Sequence, residues 1–212
     1  MSHIPPQIPD KGSADVFVLS CIDPRFSSYL TFFLEHQRNL QHYYDQFSLA
    51  GSSLGYLQAK VEPPPDLPVL QFLHWDQALL DHVQLGISLH NVTELWCFDH
   101  MDCGAYKAFT RDYPVDDDRN VHINNMIAFH DDIARISFTA FGGIGTRTLK
   151  VKCFLMDFDG SIELVAGASD SGGIAIEWEN DTNVWKYATF GLLFSIFLLF
   201  ISTNFYNSSS RK

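Results

Sequence analysis

Two short apolar runs, Val16-Phe17-Val18-Leu19 and Leu95-Trp96-Cys97-Phe98, stand out of a more polar background, and both are rich in β-branched or aromatic side chains. Runs of this kind, without alternation, predict strands buried on both faces. The first strand is expected over Asp15 to Cys21, a second over about Asp45 to Ala50, and a third ending at the Leu95 run. A last main strand, Lys150 to Asp157, turns at Gly160 into Ile162 to Val165. Between the strands, apolar positions recur at helical spacing. Leu30, Phe33 and Leu34 follow a possible cap at Ser27 or Ser28. Leu70, Leu73, Ala78, Leu79, Val83 and Leu85 form a stripe between Pro68 and Leu85. A short helix is expected over Ala105 to Phe109, and a longer one from His122 to Phe138 through Ile123, Met126, Ile127, Phe129 and Ile133. Alternating strands and helices predict an α/β domain with a parallel, mainly four-stranded sheet flanked by helices.

The pattern changes near the C-terminus. Tyr187 to Tyr206 carries no charged residue and holds a dense run of Leu, Ile and Phe. About 20 such residues can cross a bilayer. Trp185, Tyr187 and Tyr206 flank the run as an aromatic belt, with Lys186 on one side and Arg211-Lys212 on the other. The expected organisation is an extended arm at 1–13, an α/β domain at 14–167, a linker at 168–184, a transmembrane helix at 185–206 and a polar tail at 207–212. This is a single-pass C-terminal anchor, contacting lipid through 187–206, with the domain facing the cytosol or an equivalent reducing compartment. Met1 to Gly12 is polar, contains Pro5, Pro6 and Pro9, and lacks the apolar core of an export signal. A net charge of −11 with no basic cluster argues against nucleic acid as a partner. Of four cysteines, Cys97 and Cys153 fall inside strands, where buried free thiols are expected.

The candidate chemistry sits where the strands end. Ser20-Cys21-Ile22-Asp23-Pro24-Arg25 follows the first apolar run, and Asp99-His100-Met101-Asp102-Cys103-Gly104 follows the other. If the two strands are neighbours in a parallel sheet, Cys21, His100 and Cys103 meet in one crevice at the edge where such sheets bind ligands. Two thiolates and one imidazole suit zinc, with a fourth position left for water or a side chain. Each residue alone has a plainer reading, since a lone Cys at a strand end is commonly a small buried apolar group. Gly51 to Gly55 either lets backbone approach the crevice or is a simple turn. His36 and His42 have no partner at ligand spacing, Asp116-Asp117-Asp118 lacks a calcium-loop pattern, and Gly142-Gly143-x-Gly145 reads as a helix stop and turn.

The two ligand segments together resemble the β-class carbonic anhydrases, whose signatures are Cys-x-Asp-Ser-Arg after the first strand and His-x-x-Cys-Gly after a later one. Asp45 to Gly51 is similar to the family's second strand and Ala-Gly turn, and Trp75 to Leu85 to the helix before the His-bearing strand. Lys150 to Val165 resembles the closing strand pair, so the resemblance spans about Ala14 to Val165. It implies zinc on Cys21, His100 and Cys103, with Asp23 as a possible fourth ligand. It also implies that Arg25 holds Asp23 ionised and away from the metal, so that a zinc-held hydroxide attacks carbon dioxide to give bicarbonate. Asp23 and Arg25 are then the catalytic pair. Three positions depart from the pattern. Pro24 replaces a Ser and is expected to remove a hydroxyl and an N–H beside the pair. Asp99 replaces a Gly and is expected to add bulk and charge at the zinc His. The arm lacks the family's helix and its substrate-side Gln. Two functions follow. One is a membrane-anchored zinc lyase, a homodimer or part of a membrane-bound assembly, acting on carbon dioxide and bicarbonate. The other is a weak or inactive carbonic-anhydrase-like structural subunit of such an assembly, in which zinc is a relic or a folding staple.

Overall fold

Val16–Ser20 (β1) is buried at every position, as its unbroken apolar run requires, and it lies inside the sheet rather than at an edge. The computed structural model of the chain describes residues 12–60, 74–110, 113–141 and 145–167. In chain order the elements after β1 are α1 (Pro24–Phe32), a π-helical turn (Phe33–Gln37), β2 (Tyr44–Ser48), α2 (Ser53–Gln58), α3 (Trp75–His90), β3 (Glu94–His100) and α4 (Gly104–Phe109). Then come a 3₁₀ turn (Val115–Asp117), α5 (Asp118–Ile133), β4 (Phe138–Thr139), β5 (Thr146–Arg147), β6 (Lys150–Met156) and β7 (Ile162–Ala166). The main sheet has the order β2-β1-β3-β6-β7, with four parallel strands and β7 antiparallel at one edge. The chain is therefore a mixed α/β protein with a mainly parallel sheet flanked by helices.

Period-two alternation sorts the strand residues onto two cores. Phe17 and Leu19, Leu95 and Cys97, and Val151, Cys153 and Leu155 pack with Leu79, Val83 and Ile87 of α3 and with Met126, Phe129 and Ile133 of α5. Val16 and Val18, Trp96 and Phe98, and Phe154 and Met156 pack on the other face with Phe26 and Leu30 of α1 and with Phe33 and Leu34. β2 and β3 flank β1 on opposite sides, so the direction of winding reverses there. The crevice beyond the ends of β1 and β3 is thus the topological switch point, where open α/β sheets hold their ligands.

Several expectations are corrected. The first helix begins at Pro24 and is not capped by Ser27 or Ser28. Asp23 is its N-cap, accepting from the Arg25 N–H at 2.9 Å, and Pro24 takes the first helical position. α3 runs on to His90; its buried side is Leu79, Val83, Gly86 and Ile87, and Leu85 lies off it, 39 % exposed. α5 starts at Asp118, four residues before the expected start, and ends at Ile133; its buried side is His122, Met126, Phe129 and Ile133, with Ile127 43 % exposed. Phe138 belongs to β4, which pairs antiparallel with β5, so a small hairpin stands where a helix end was expected. Cys97 and Cys153 are buried free thiols. Among the described residues no helix is long and apolar enough to cross a membrane. The expected arm up to residue 11, the stripe residues Leu70 and Leu73, Gly142-Gly143, the linker, the transmembrane run 185–206 and the tail lie outside the described residues.

Candidate metal centre

β3 pairs with β1 along its length and continues beyond it: Ser20 lies opposite Phe98, so His100 projects past the end of β1. Cys21 follows β1 directly. Asp102, with φ at 57°, turns the chain after β3 and brings Cys103 back toward Cys21 at the start of α4. The ligand atoms of Cys21, His100 and Cys103 all lie within 4.8 Å of one another, and this is a group able to hold a metal ion. The two sulfurs are 3.8 Å apart. Two thiolates at about 2.3 Å from a tetrahedral zinc stand about 3.8 Å apart, so the spacing fits.

The imidazole fits as well. His100 is fully buried, and its Nδ1 lies 3.0 Å from the Met101 carbonyl, which can only accept. Nδ1 therefore carries the proton in the neutral ring and Nε2 presents a lone pair. Nε2 is buried with no hydrogen-bond partner among the described residues, an expense that a cation would remove. Phe26 of α1 stacks on the ring at 4.4 Å and fixes its plane.

Asp23 and Arg25 stand beside this group. Asp23 Oδ2 is 3.8 Å from His100 Nε2. The Arg25 Nε–H donates to both Asp23 oxygens at 3.0 and 3.1 Å, and an Nη2–H donates to Oδ2 at 2.7 Å. That hydrogen-bonded guanidinium holds the Asp23 carboxyl down to about 2. Two further guanidinium donors go to Asp102: Nη1 to its Oδ2 and Nη2 to its backbone carbonyl, each at 3.0 Å.

No protein-family model matches the chain. It is 28 % identical over 154 residues to an uncharacterized protein of Rickettsia bellii, covering 73 % of this chain and 83 % of that one. It is 26 % identical over 156 residues to an uncharacterized protein of Rickettsia conorii, covering 73 % of each. Neither relative carries a stated activity, so the site is read from its own chemistry.

Of the two thiols, Cys21 ionises first. The Cys103 S–H beside it, with help from His100 and the Gly51 N–H, brings it down to about 4 against the cost of burial. Cys103 is pushed up correspondingly, first by its bond to Cys21. Burial opposes charge on His100, but the Cys21 sulfur, the Met101 carbonyl and Asp23 together raise its pKa. A bound cation replaces these protons on the thiols. Gly51, at φ 77°, brings its N–H to 3.4 Å from the Cys21 sulfur; of its two readings, the structure shows backbone approaching the site.

The structure bears on two of the three departures. Pro24 occupies the first helical position, where the missing N–H has no intrahelical partner in any case. Asp99 does not crowd the crevice, because consecutive strand residues face opposite ways. Its buried carboxylate accepts from the Ser53 N–H at 3.2 Å, the Ser53 hydroxyl at 2.7 Å and the Tyr106 hydroxyl at 2.5 Å, and lies 3.3 Å from His122 Nδ1. Residues that sequence reasoning passed over are Asp102, Ser53, His122 and Asp118. Asp118 Oδ2 accepts the Asp102 N–H at 2.8 Å and so pins the turn between the ligands. The only sequence signal for Asp102 was its place between His100 and Cys103.

Proposed function

We propose that this chain is a zinc-dependent carbonic anhydrase of the β-class type that hydrates carbon dioxide reversibly. It is anchored by 187–206, and its domain faces the cytosol or an equivalent reducing compartment. The observation that carries the reading is the convergence of Cys21, His100 and Cys103 within 4.8 Å beside an ion-paired Asp23 and Arg25. Zinc is the metal that two thiolates and an imidazole suit best, and when bound it acts as a Lewis acid that brings the pKa of water near neutrality. Cys21, His100 and Cys103 would hold it.

The chain's own groups divide the remaining work. Arg25 keeps Asp23 ionised, so its carboxylate can accept a hydrogen bond but cannot donate one. A water held by that bond is oriented with a lone pair free to form the new C–O bond with carbon dioxide. As the C–O bond forms, one C=O electron pair moves onto its oxygen, the water's proton passes to solvent buffer, and bicarbonate results. Phe26 covers one face of His100 and excludes solvent from it, and the Gly51 N–H and Met101 carbonyl hold the Cys21 sulfur and the imidazole in place.

The test is zinc content and stopped-flow carbon dioxide hydration on the purified full chain beside Cys103→Ser. About one zinc per chain, with hydration abolished in the variant, is expected. No zinc on the wild type would remove the site. Zinc without hydration at neutral to alkaline pH would remove the reaction and leave the metal as a structural staple.

A further inference from the structure

Arg25 is shared between two carboxylates, and only one of them, Asp23, faces the metal ligands. We propose that Asp102 is a positioning residue: it takes the guanidinium donors that Asp23 does not use, and so holds the Asp23–Arg25 pair off the position facing Cys21, His100 and Cys103. This rests on the metal reading above and adds to it the device that keeps the site open.

Arg25 spans the two loops that carry the ligands. Its Nε–H and one Nη2–H engage Asp23 on the Cys21 loop, while Nη1 and Nη2 reach Oδ2 and the carbonyl oxygen of Asp102 on the loop of His100 and Cys103. Asp102 is itself fixed on three sides. Its backbone is left-handed, its N–H is held by Asp118, and its other carboxylate oxygen pairs with the Lys107 ammonium. The guanidinium also lies against Phe158, 5.3 Å from the ring centroid. Among the described residues, Asp23 accepts from Arg25 alone, through its N–H at the N-cap and its guanidinium, and its Oδ2 is already 3.8 Å from His100 Nε2. Released from Asp102, Arg25 and Asp23 can move as a pair, and a small shift brings the carboxylate over the ligand group. With Asp102 in place that shift breaks two charge-assisted hydrogen bonds.

The left-handed backbone makes a clean variant available, because glycine adopts φ 57° without penalty. The experiment uses the cobalt(II)-substituted full chain, with azide as the probe of the fourth position, read by visible absorption. Arg25 and Asp102 are each nearly half exposed, so solvent screens their pairing and the effect is bounded. Asp102→Gly is expected to take up cobalt fully and to bind azide about 5- to 10-fold more weakly, since each tenfold is about 1.4 kcal/mol. Asp102→Asn keeps one acceptor without the charge and is expected between it and wild type. Adding Asp102→Gly to Asp23→Ala is expected to change azide affinity no further, because the competing carboxylate is gone. Wild-type azide affinity in cobalt-loaded Asp102→Gly and Asp102→Asn would overturn the proposal. So would a weakening by Asp102→Gly that persists undiminished in the Asp23→Ala background. Failure of the wild type to take up cobalt is a different result, and it overturns the metal reading itself.

Discussion

Asp99→Asn probes whether the residue before the metal-site histidine is an obstacle or a latch. In the structure its carboxylate faces five donors: the Ser53 N–H, the Ser53 and Tyr106 hydroxyls, His122 Nδ1 and, more weakly, the Cys97 S–H at 4.0 Å. Asp99, Ser53, Tyr106 and His122 are all buried, so water cannot substitute. An amide offers one acceptor oxygen and turns two new donors into the group. Three donors face one carboxylate oxygen and two the other, so at least two of the five lose their partner. The Ser53 and Tyr106 oxygens are 3.0 Å apart, so one hydroxyl can turn to the other and recover part of the loss. At about 1–3 kcal/mol for each buried group left unsatisfied, the expected destabilisation is about 2–4 kcal/mol. For a domain of this size that lowers Tm by about 10 °C. The assay is urea unfolding of the full chain followed by tryptophan fluorescence, with Asp99→Gly run alongside. The latch predicts that Asp99→Gly is also destabilised and gains no hydration activity. A loss under about 0.5 kcal/mol in Asp99→Asn, or faster hydration in Asp99→Gly, would refute the reasoning.

Two further outcomes are expected. Gly55→Ala places a Cβ 2.4 Å from the Ala50 carbonyl oxygen and 3.0 Å from Leu49 Cγ, so α2 must shift against backbone. A loss of about 1–3 kcal/mol in urea unfolding is expected, and an unchanged midpoint would show that the contact is not tight. Asp23 titrates at about 2 in the folded chain against its ordinary 3.8, so its pairing with Arg25 adds stability above about pH 4 that is lost as pH falls toward 2. Arg25→Gln should therefore be less stable than wild type by a constant amount from pH 5 to 8, with the gap closing below pH 4. A gap independent of pH down to 2 would mean that the pair is not its source.

Most of what positions the site could be read from the chain because it depends on burial. β1 and β3 are central and covered on both faces, so their apolar runs had no polar positions to blur them, and the ligands lie immediately beyond their ends. The start of α1 is also written in the sequence, as Asp23 followed by Pro24 in the N-cap and first helical positions, while Ser27 and Ser28, about one turn later, carry equally good capping side chains. Strand alternation encodes the direction of Asp99, away from the crevice, but the expectation that it crowds His100 left that alternation out and is overturned. What the sequence could not supply was the long-range partnership. Ser53 and His122 reach Asp99 from 46 and 23 residues away, and Arg25 reaches Asp102 across 77. No local pattern encodes those pairings. The β4–β5 hairpin was missed because strands of two residues carry no periodicity.

The two departures beside the ligands have a common physical logic. The end of β3 is held from both of its faces by neighbouring residues: Phe26 stacks on His100 from the α1 side, and Ser53, Tyr106 and His122 hold Asp99 from the other. Glycine at position 99 would free the second face and leave the imidazole positioned by packing on one side only. Pro24 works in the same direction at the other loop, since its ring fixes φ at the first turn of α1 and keeps Asp23 in the N-cap position from which it meets Arg25. Asp99 and Pro24 each stiffen a segment that carries a candidate ligand. Small zinc domains gain much of their fold from the metal, because their ligands sit on short loops with little core beneath them. Here Cys21 and His100 extend directly from buried strands of a continuous sheet, so the protein positions these ligands before any metal arrives. A cation entering such a group would meet side chains already within 4.8 Å of one another, so little of its binding energy would go to folding the chain.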